Sequence, residues 1–484
     1  MQLQSDSTPS PAHAALQASL HSPQGVDERF LRIESFNADV GVAIESLVNA
    51  VLEIKQAGIE QPEPSSQLAT LQAKVRELEQ QLHVERTNRD MTQVSQMHPK
   101  TRSVVFVGTI YFGDNVKYAW LACRRKAEAL GIQCWFLPFN EAQEQLVRSL
   151  GGDCFPCSYT DWTPDHVHAA LSAGVLVTSD HFLNSNPFAP ALMAGARHIQ
   201  LWHGVSIKEI GFRNLAPGRA LSPHYAKVLN TCGPYASFVG TTSTAEPEWR
   251  RWFAFNRYAP IGYPRNDVLH REPDEGDLAN VDKDAYARAV EARRQGKQVF
   301  VYAPTFRDAD RKWVLSAGLD AIARAVAKAG NLLIVNLHPV EQPQIPEMAK
   351  LLPGVTFVAP RTDAYPLLRQ ASALITDYSS VMFDFLQLDR PILLFRPDHE
   401  AYTQKSRKLF DDKLSVLPGP VVTHATQLIN RLGDPALGQK PAHAQARQLL
   451  LKQLFDHQDG ASGERLLGLI GDELDRLPRL ACAA

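Results

Sequence analysis

Residues 374–398, LITDYSSVMFDFLQLDRPILLFRPD, constrain the fold more than any other stretch. Residues 374–376 end an apolar run with the character of a buried strand. Asp377-Tyr378-Ser379-Ser380 follow as a polar turn. Val381, Met382, Phe385 and Leu388 then recur at helical spacing, and Asp389-Arg390-Pro391 stops that helix. Residues 392–395 form a second buried strand. The result is one strand–helix–strand unit with a hydroxyl-rich turn at the carboxyl end of its first strand. Open parallel sheets bind ligands at that end, and a helix N-terminus there suits a phosphate. The plainer reading is that Ser379 or Ser380 caps the helix, and both roles can hold at once.

The rest of the chain repeats this alternation. Strands are expected at 104–107, 133–137, 175–178 and 198–202, with a helix over 118–130. A second series is expected at 299–302, 332–337, 356–358, 373–376 and 392–395, with a helix over 318–329. All strands of the second series but the last run into polar groups: Pro304-Thr305-Phe306-Arg307-Asp308, His338-Pro339, Arg361-Thr362-Asp363 and Asp377-Tyr378-Ser379-Ser380. These groups should converge on one rim of a parallel sheet. The expected fold class is α/β, with two Rossmann-like doubly wound domains facing a cleft, as in type B glycosyltransferases, after an α-helical N-terminal extension. The expected boundaries are 1–98 for the extension, 99–262 and 263–440 for the two domains, and 441–484 for a helical tail packing across them.

The extension is polar over 1–26 and reads as disordered. Amphipathic helices are expected over 26–57, and Leu68, Leu71, Val75, Leu78 and Leu82 make a seam of just over two heptads. That seam serves either an oligomerising or docking helix or one packed on its own protein. Residues 86–102 read as a linker.

Composition narrows the function. Of 484 residues 44% are apolar, enough for full cores, and 50 basic against 52 acidic residues give a formal charge of −2. No basic excess points to nucleic acid. The six cysteines are scattered; Cys154 and Cys157 make a lone C-x-x-C without a second pair, so no metal site is expected. No G-x-G-x-x-G follows the first strand, and no cofactor is expected. Neither a signal peptide nor an apolar run of spanning length is read, which suggests a cytoplasmic protein, or one peripheral on the cytoplasmic face of a membrane.

Four stretches occur in order: Leu201-Trp202-His203-Gly204 with Lys208 and Gly211; Gly262-Tyr263-Pro264-Arg265-Asn266-Asp267; Tyr302-Ala303-Pro304-Thr305-Phe306-Arg307-Asp308; and the 374–398 stretch. Together they make the chain resemble the CDP-glycerol glycerophosphotransferases, the polymerases and primases of teichoic acids and related glycerol-phosphate capsules. The resemblance covers about 104–465 and leaves out the first hundred residues. It departs at Val205-Ser206-Ile207, where the family usually carries Thr-Pro before the lysine.

The resemblance implies transfer of glycerol phosphate from CDP-glycerol to a hydroxyl of a glycan or polyol-phosphate acceptor, with release of CMP, and suggests an acceptor that is membrane-linked or an oligosaccharide. Such a transfer needs positioning, charge stabilisation and a base for the alcohol proton. His203 at a strand end suits the base, unless it is a structural histidine of a turn. Arg307 offers a planar fork to phosphate, unless it pairs with Asp308 or Asp310. His338, Ser379 and Ser380, joined by Thr305 and Thr376, would hold the diphosphate. Asp384 either meets a donor hydroxyl or serves its helix dipole, and Lys208 would neutralise phosphate charge. Three alternatives stand beside this: CDP-ribitol as donor, a nucleotide-sugar glycosyltransferase on the same fold, and a scaffold whose N-terminal helices recruit partners.

Overall fold

The computed structural model describes residues 64–180, 186–206, 210, 233–307, 313–400, 402, 416–434, 436–437 and 440–478. The expectations for residues 1–63 and for Lys208, Gly211, Asp308 and Asp310 lie outside them. Two compact units divide the chain, residues 1–87 and 88–484. Helix α1 (Pro64–Met97), whose residues from Asn88 on belong to the second unit, begins with proline at its first position, where the missing N–H costs nothing. Its seam residues Val75 and Leu82 are 41% and 39% exposed.

α1 runs on through 86–97, where a linker was expected. Within the second unit, polar residues of this stretch satisfy backbone carbonyls: Asn88 Nδ2 donates to Pro187 O (3.1 Å), and buried Ser95 Oγ to Leu192 O (2.6 Å). Composition resembled a linker because these side chains bond to protein rather than to water.

The second unit holds two parallel sheets. The first comprises β1 (Ser103–Val107), β2 (Gln133–Leu137), β3 (Asp153–Cys154), β4 (Val175–Thr178), β5 (Arg197–Gln200), β6 (Tyr235–Val239) and β7 (Phe255–Ala259), in the order β3-β2-β1-β4-β5-β6-β7. The second comprises β8 (Val299–Ala303), β9 (Leu332–Val335), β10 (Thr356–Phe357), β11 (Ala373–Thr376), β12 (Ile392–Phe395) and β13 (Val421–Val422), in the order β10-β9-β8-β11-β12-β13. β1, β4, β8, β11 and β12 are buried along their whole length, as strands covered on both faces must be. Strand order reverses beside β1 in one sheet and beside β8 in the other, and the crevice outside the strand ends at such a point is where open sheets take ligands.

Sequence periodicity missed β3, β6, β7 and β13. β3 and β13 are two residues long, and β7 carries exposed Asn256 within an edge strand. Helix α2 (Asp114–Leu130) follows β1. The helix expected over 381–388 is α-helical only in α3 (Val381–Phe385) and finishes as a 3₁₀ turn, Leu386–Leu388, before Asp389 at φ +46°.

The C-terminal tail forms α4 (Pro441–Leu454) and α5 (Ser462–Asp475). α4 packs on α3 and its 3₁₀ turn, where Arg447 Nε meets Asp389 (3.2 Å). α5 lies on the first sheet, where buried Glu473 pairs with Arg197 and accepts from Ser237 Oγ (2.7 Å). Asp267 accepts from the N–H groups of Ser462 (3.0 Å) and Gly463 (2.7 Å) at the start of α5. Among the described residues no helix is long and apolar enough to cross a membrane.

Candidate active site

The carboxyl rims of the two sheets enclose a cleft of about 210 Å³. His203 enters it from the end of β5. His338 enters from the end of β9, and Ser379, Ser380 and Asp384 from the turn and helix after β11. Arg265, from the segment joining the sheets, completes the bridge between them.

His203 is presented by a constrained turn. The ladder of β5 stops at Gln200 because Trp202 adopts φ +57°, an unusual conformation for a bulky side chain. Gln200 Oε1 accepts from Trp202 N (2.9 Å), and Asn115 Nδ2 donates to Trp202 O (2.8 Å). The exposed His203 ring stacks on buried Trp202 at 4.2 Å. Gly204 follows at φ +142°, and a Cβ there would lie 3.0 Å from Arg265 Nη2 and 3.3 Å from Ser380 Oγ. The histidine turn and the serine turn therefore approach so closely that a side chain at 204 would meet both neighbours, and glycine avoids that.

The half-buried Ser379 and Ser380 make no side-chain cap to α3. One α-helical turn offers little dipole, so what the turn brings to a ligand is its hydroxyls. His338 Nδ1 accepts from Val340 N (3.3 Å), which in the neutral ring puts the proton on Nε2. Phe306 lies tilted against that ring at 4.5 Å.

Arg307, Thr305 and Thr376 do not line the cleft with them. Arg307 is buried beneath the serine turn. It donates from Nε and Nη2 to Asp398 (2.6 and 2.9 Å) and from Nη1 to Thr305 O (2.6 Å), and Nη2 also meets Asp377 (2.9 Å). Burial opposes its charge, but the two carboxylates outweigh that and its pKa is raised. Thr305 donates from N and Oγ1 to Asp377 (2.9 and 2.6 Å), and Thr376 Oγ1 donates to Ala303 O (2.7 Å). The fork expected to face phosphate instead holds the loop, because Asp377 and Asp398 reach it first.

Asp384 lines the cleft and is engaged by three side chains. It accepts from Arg265 Nη2 (2.7 Å), Tyr365 OH (2.7 Å) and Asn266 Nδ2 (3.1 Å). Arg265, 5% exposed, also pairs with Asp114 after β1. Burial works against its charge, yet Asp384, Tyr365 and Asp114 hold the pKa above the usual arginine value. A second buried link joins the same parts. Lys117 on α2 gives its three protons to Asp363 Oδ2 (2.7 Å), Asp277 O (2.6 Å) and Ala279 O (2.7 Å). Tyr118 OH shares that carboxylate (2.7 Å), and burial, then Asp363, pushes the phenol pKa up.

Arg265 stood within a quoted motif but read only as part of a turn cluster. Lys117 carried no signal, because a lysine on a helix reads as solvated. Arg361 also lines the cleft, exposed and at φ +58°. Among the described residues no group of His, Cys, Asp or Glu is placed to hold a metal ion.

Two parallel sheets meeting at such a cleft define a GT-B-like α/β fold. The same fold occurs in the wall teichoic acid polymerase TagF, at TM-score 0.62 and 19% identity over 84% of this chain and 98% of that one. Residues 158–472 match the family described as CDP-Glycerol:Poly(glycerophosphate) glycerophosphotransferase, and the chain belongs to that family. It is 26% identical to the teichoic acid glycerol-phosphate primase of Bacillus subtilis, over 63% of this chain and 75% of the primase. It is 29% identical to the teichoic acid poly(glycerol phosphate) polymerase of the same organism, over 49% of this chain but 32% of that longer protein.

Proposed function

We propose that this glycerophosphotransferase moves glycerol phosphate from CDP-glycerol to a hydroxyl of a glycan or polyol-phosphate acceptor and releases CMP. In the reaction an acceptor oxygen bonds to the phosphorus that carries glycerol, and the bond from that phosphorus to the CMP oxygen breaks. His203 takes the acceptor proton. Ser379, Ser380 and His338 donate to the diphosphate, with Arg361 and Lys208 adding positive charge. Arg307, Thr305 and Thr376 keep the serine turn in place, and Asp384 ties the two lobes together. The acceptor is presented at a membrane face that the protein meets peripherally.

The observation that supports the reading is that His203, His338, Ser379 and Ser380 line one cleft, with Gly204 packed so close to Ser380 that a side chain there would meet its hydroxyl. A solved structure of a TagF variant soaked with CDPG shares the fold at TM-score 0.60. Incubation with CDP-glycerol should release CMP; a nucleoside diphosphate released from a nucleotide sugar would overturn the assignment. Replacing His203 with Ala should slow turnover at least about a hundredfold, and near-normal turnover would remove it as the base. CDP-ribitol is the second reading, favoured by 26% identity to the teichoic acid ribitol-phosphate primase of Bacillus spizizenii. Competition between the two donors separates them.

A further inference from the structure

The hydrogen-bonding side chains of Tyr263-Pro264-Arg265-Asn266-Asp267 reach four separate parts of the molecule: Gly204, Asp114, Asp384 and the start of α5. Tyr263 OH donates to Gly204 O (3.2 Å), beside His203. Arg265 joins Asp114, after the first strand of one sheet, to Asp384, in the helix behind the serine turn of the other. Asn266 Nδ2 reaches the second oxygen of Asp384 (3.1 Å), and Asp267 holds the start of α5. Arg265 Nη2 is also the atom nearest the space where a Gly204 side chain would begin, at 3.0 Å, with Ser380 Oγ next at 3.3 Å. The guanidinium thus forms part of the wall between the histidine turn and the serine turn.

A planar guanidinium suits this place. It donates from two nitrogens in a fixed plane, so the separation of Asp114 and Asp384 is set by the fork itself. The stack of Arg265 over the Tyr365 ring, 5.0 Å to its centre, limits tilt of that plane. Tyr263 then sets the height of Gly204 over it.

We infer that Arg265, with Tyr263, is a positioning residue for the transfer: it fixes the base turn at His203 against the phosphate-holding turn at Ser379 and Ser380. The inference rests on the proposed roles of His203 and the serines. The hydrogen-bond donors proposed for the diphosphate, Ser379, Ser380 and His338, all follow strands of the second sheet, whereas proton removal needs both turns at one spacing. Loss of the clamp should therefore appear in kcat and leave donor affinity nearly intact.

The test measures kcat, KM for CDP-glycerol and donor affinity by calorimetry in Tyr263→Phe, Arg265→Lys and Arg265→Ala. Tyr263→Phe removes one hydrogen bond without opening a cavity, so it keeps the test alive if Arg265→Ala fails to fold. Its kcat should fall about fivefold to tenfold, in line with about 1 kcal/mol for one hydrogen bond. Arg265→Ala should lower kcat about a hundredfold or more, and Arg265→Lys, which keeps the charge but not the fork, should recover only part. Donor affinity should stay within about threefold throughout. Unchanged kcat in Tyr263→Phe, or a rise in KM and donor dissociation constant with kcat preserved, would overturn the inference while leaving the reaction assigned. Failure of the unaltered protein to release CMP from CDP-glycerol would remove the proposed function and this inference with it.

Discussion

Arg265 and Arg307 invite comparison because they share almost every local property. Both are buried, at 5% and 8% exposure, both meet two aspartates, and both lie over aromatic rings. Both come from motifs that place arginine just after a turn. They differ in where their aspartates belong. Asp377 and Asp398 lie on loops of the same sheet as Arg307, so that arginine hardens one lobe. Asp114 and Asp384 lie in helices that follow strands of different sheets, so Arg265 sets the distance between lobes. A buried arginine is a spacer, and the attachment of its partners decides what it spaces.

The largest expected effect falls on the within-lobe arginine. Arg307→Ala leaves Asp377 buried without its cation, and such a loss costs about 3–5 kcal/mol. Denaturant unfolding should show it. A stable variant with weakened CDP-glycerol binding would break the comparison and return Arg307 to the phosphate role that sequence suggests.

A middle effect concerns Glu341, which packs into the same cluster and accepts from Trp313 Nε1 (3.1 Å). Burial raises its pKa to about 7 from the usual glutamate range. A carboxyl whose folded pKa lies above its unfolded value stabilises the fold at low pH. That contribution is fully present below the unfolded pKa and is lost as pH rises through about 7. Melting temperature should therefore decline between about pH 4.5 and 7. Glu341→Gln should flatten that slope, by on the order of 3 kcal/mol across the window. An unchanged profile would place the charge elsewhere.

The smallest effect sharpens the between-lobe side. Tyr365→Phe removes one of three donors to Asp384 and leaves Arg265 and Asn266 in place. Stability should fall by about 1 kcal/mol. A loss several times larger would mean that the phenol, rather than the arginine, carries the bridge.

The parts of the molecule legible in sequence share one trait: their signals are local. The strand, polar turn and helix start at 374–382 are successive residues, and the apolar runs of β1, β8, β11 and β12 declare strands covered on both faces. His203, Ser379 and His338 could be singled out because each ends such a run. The illegible parts depend on partners far along the chain. Arg265 and Asp384 are 119 residues apart, and Lys117 and Asp363 are 246 apart. Nothing near Lys117 marks it as buried. Nothing near Arg307 says that Asp398, 91 residues on, will occupy its fork. Residues 86–97 were misread for the same reason, since the carbonyls that accept from them come from the 187–192 segment.

From its sequence alone this chain was bound to form two runs of parallel strands with polar turns at their carboxyl ends, because apolar periodicity and turn chemistry act over a few residues. Tertiary structure decided which of those polar groups face the cleft and which are consumed behind it. A buried charge is tolerated only beside an opposite one, and which opposite charge is nearest is settled when segments distant in the chain pack together, within one sheet's loops for Arg307 and between the sheets for Arg265.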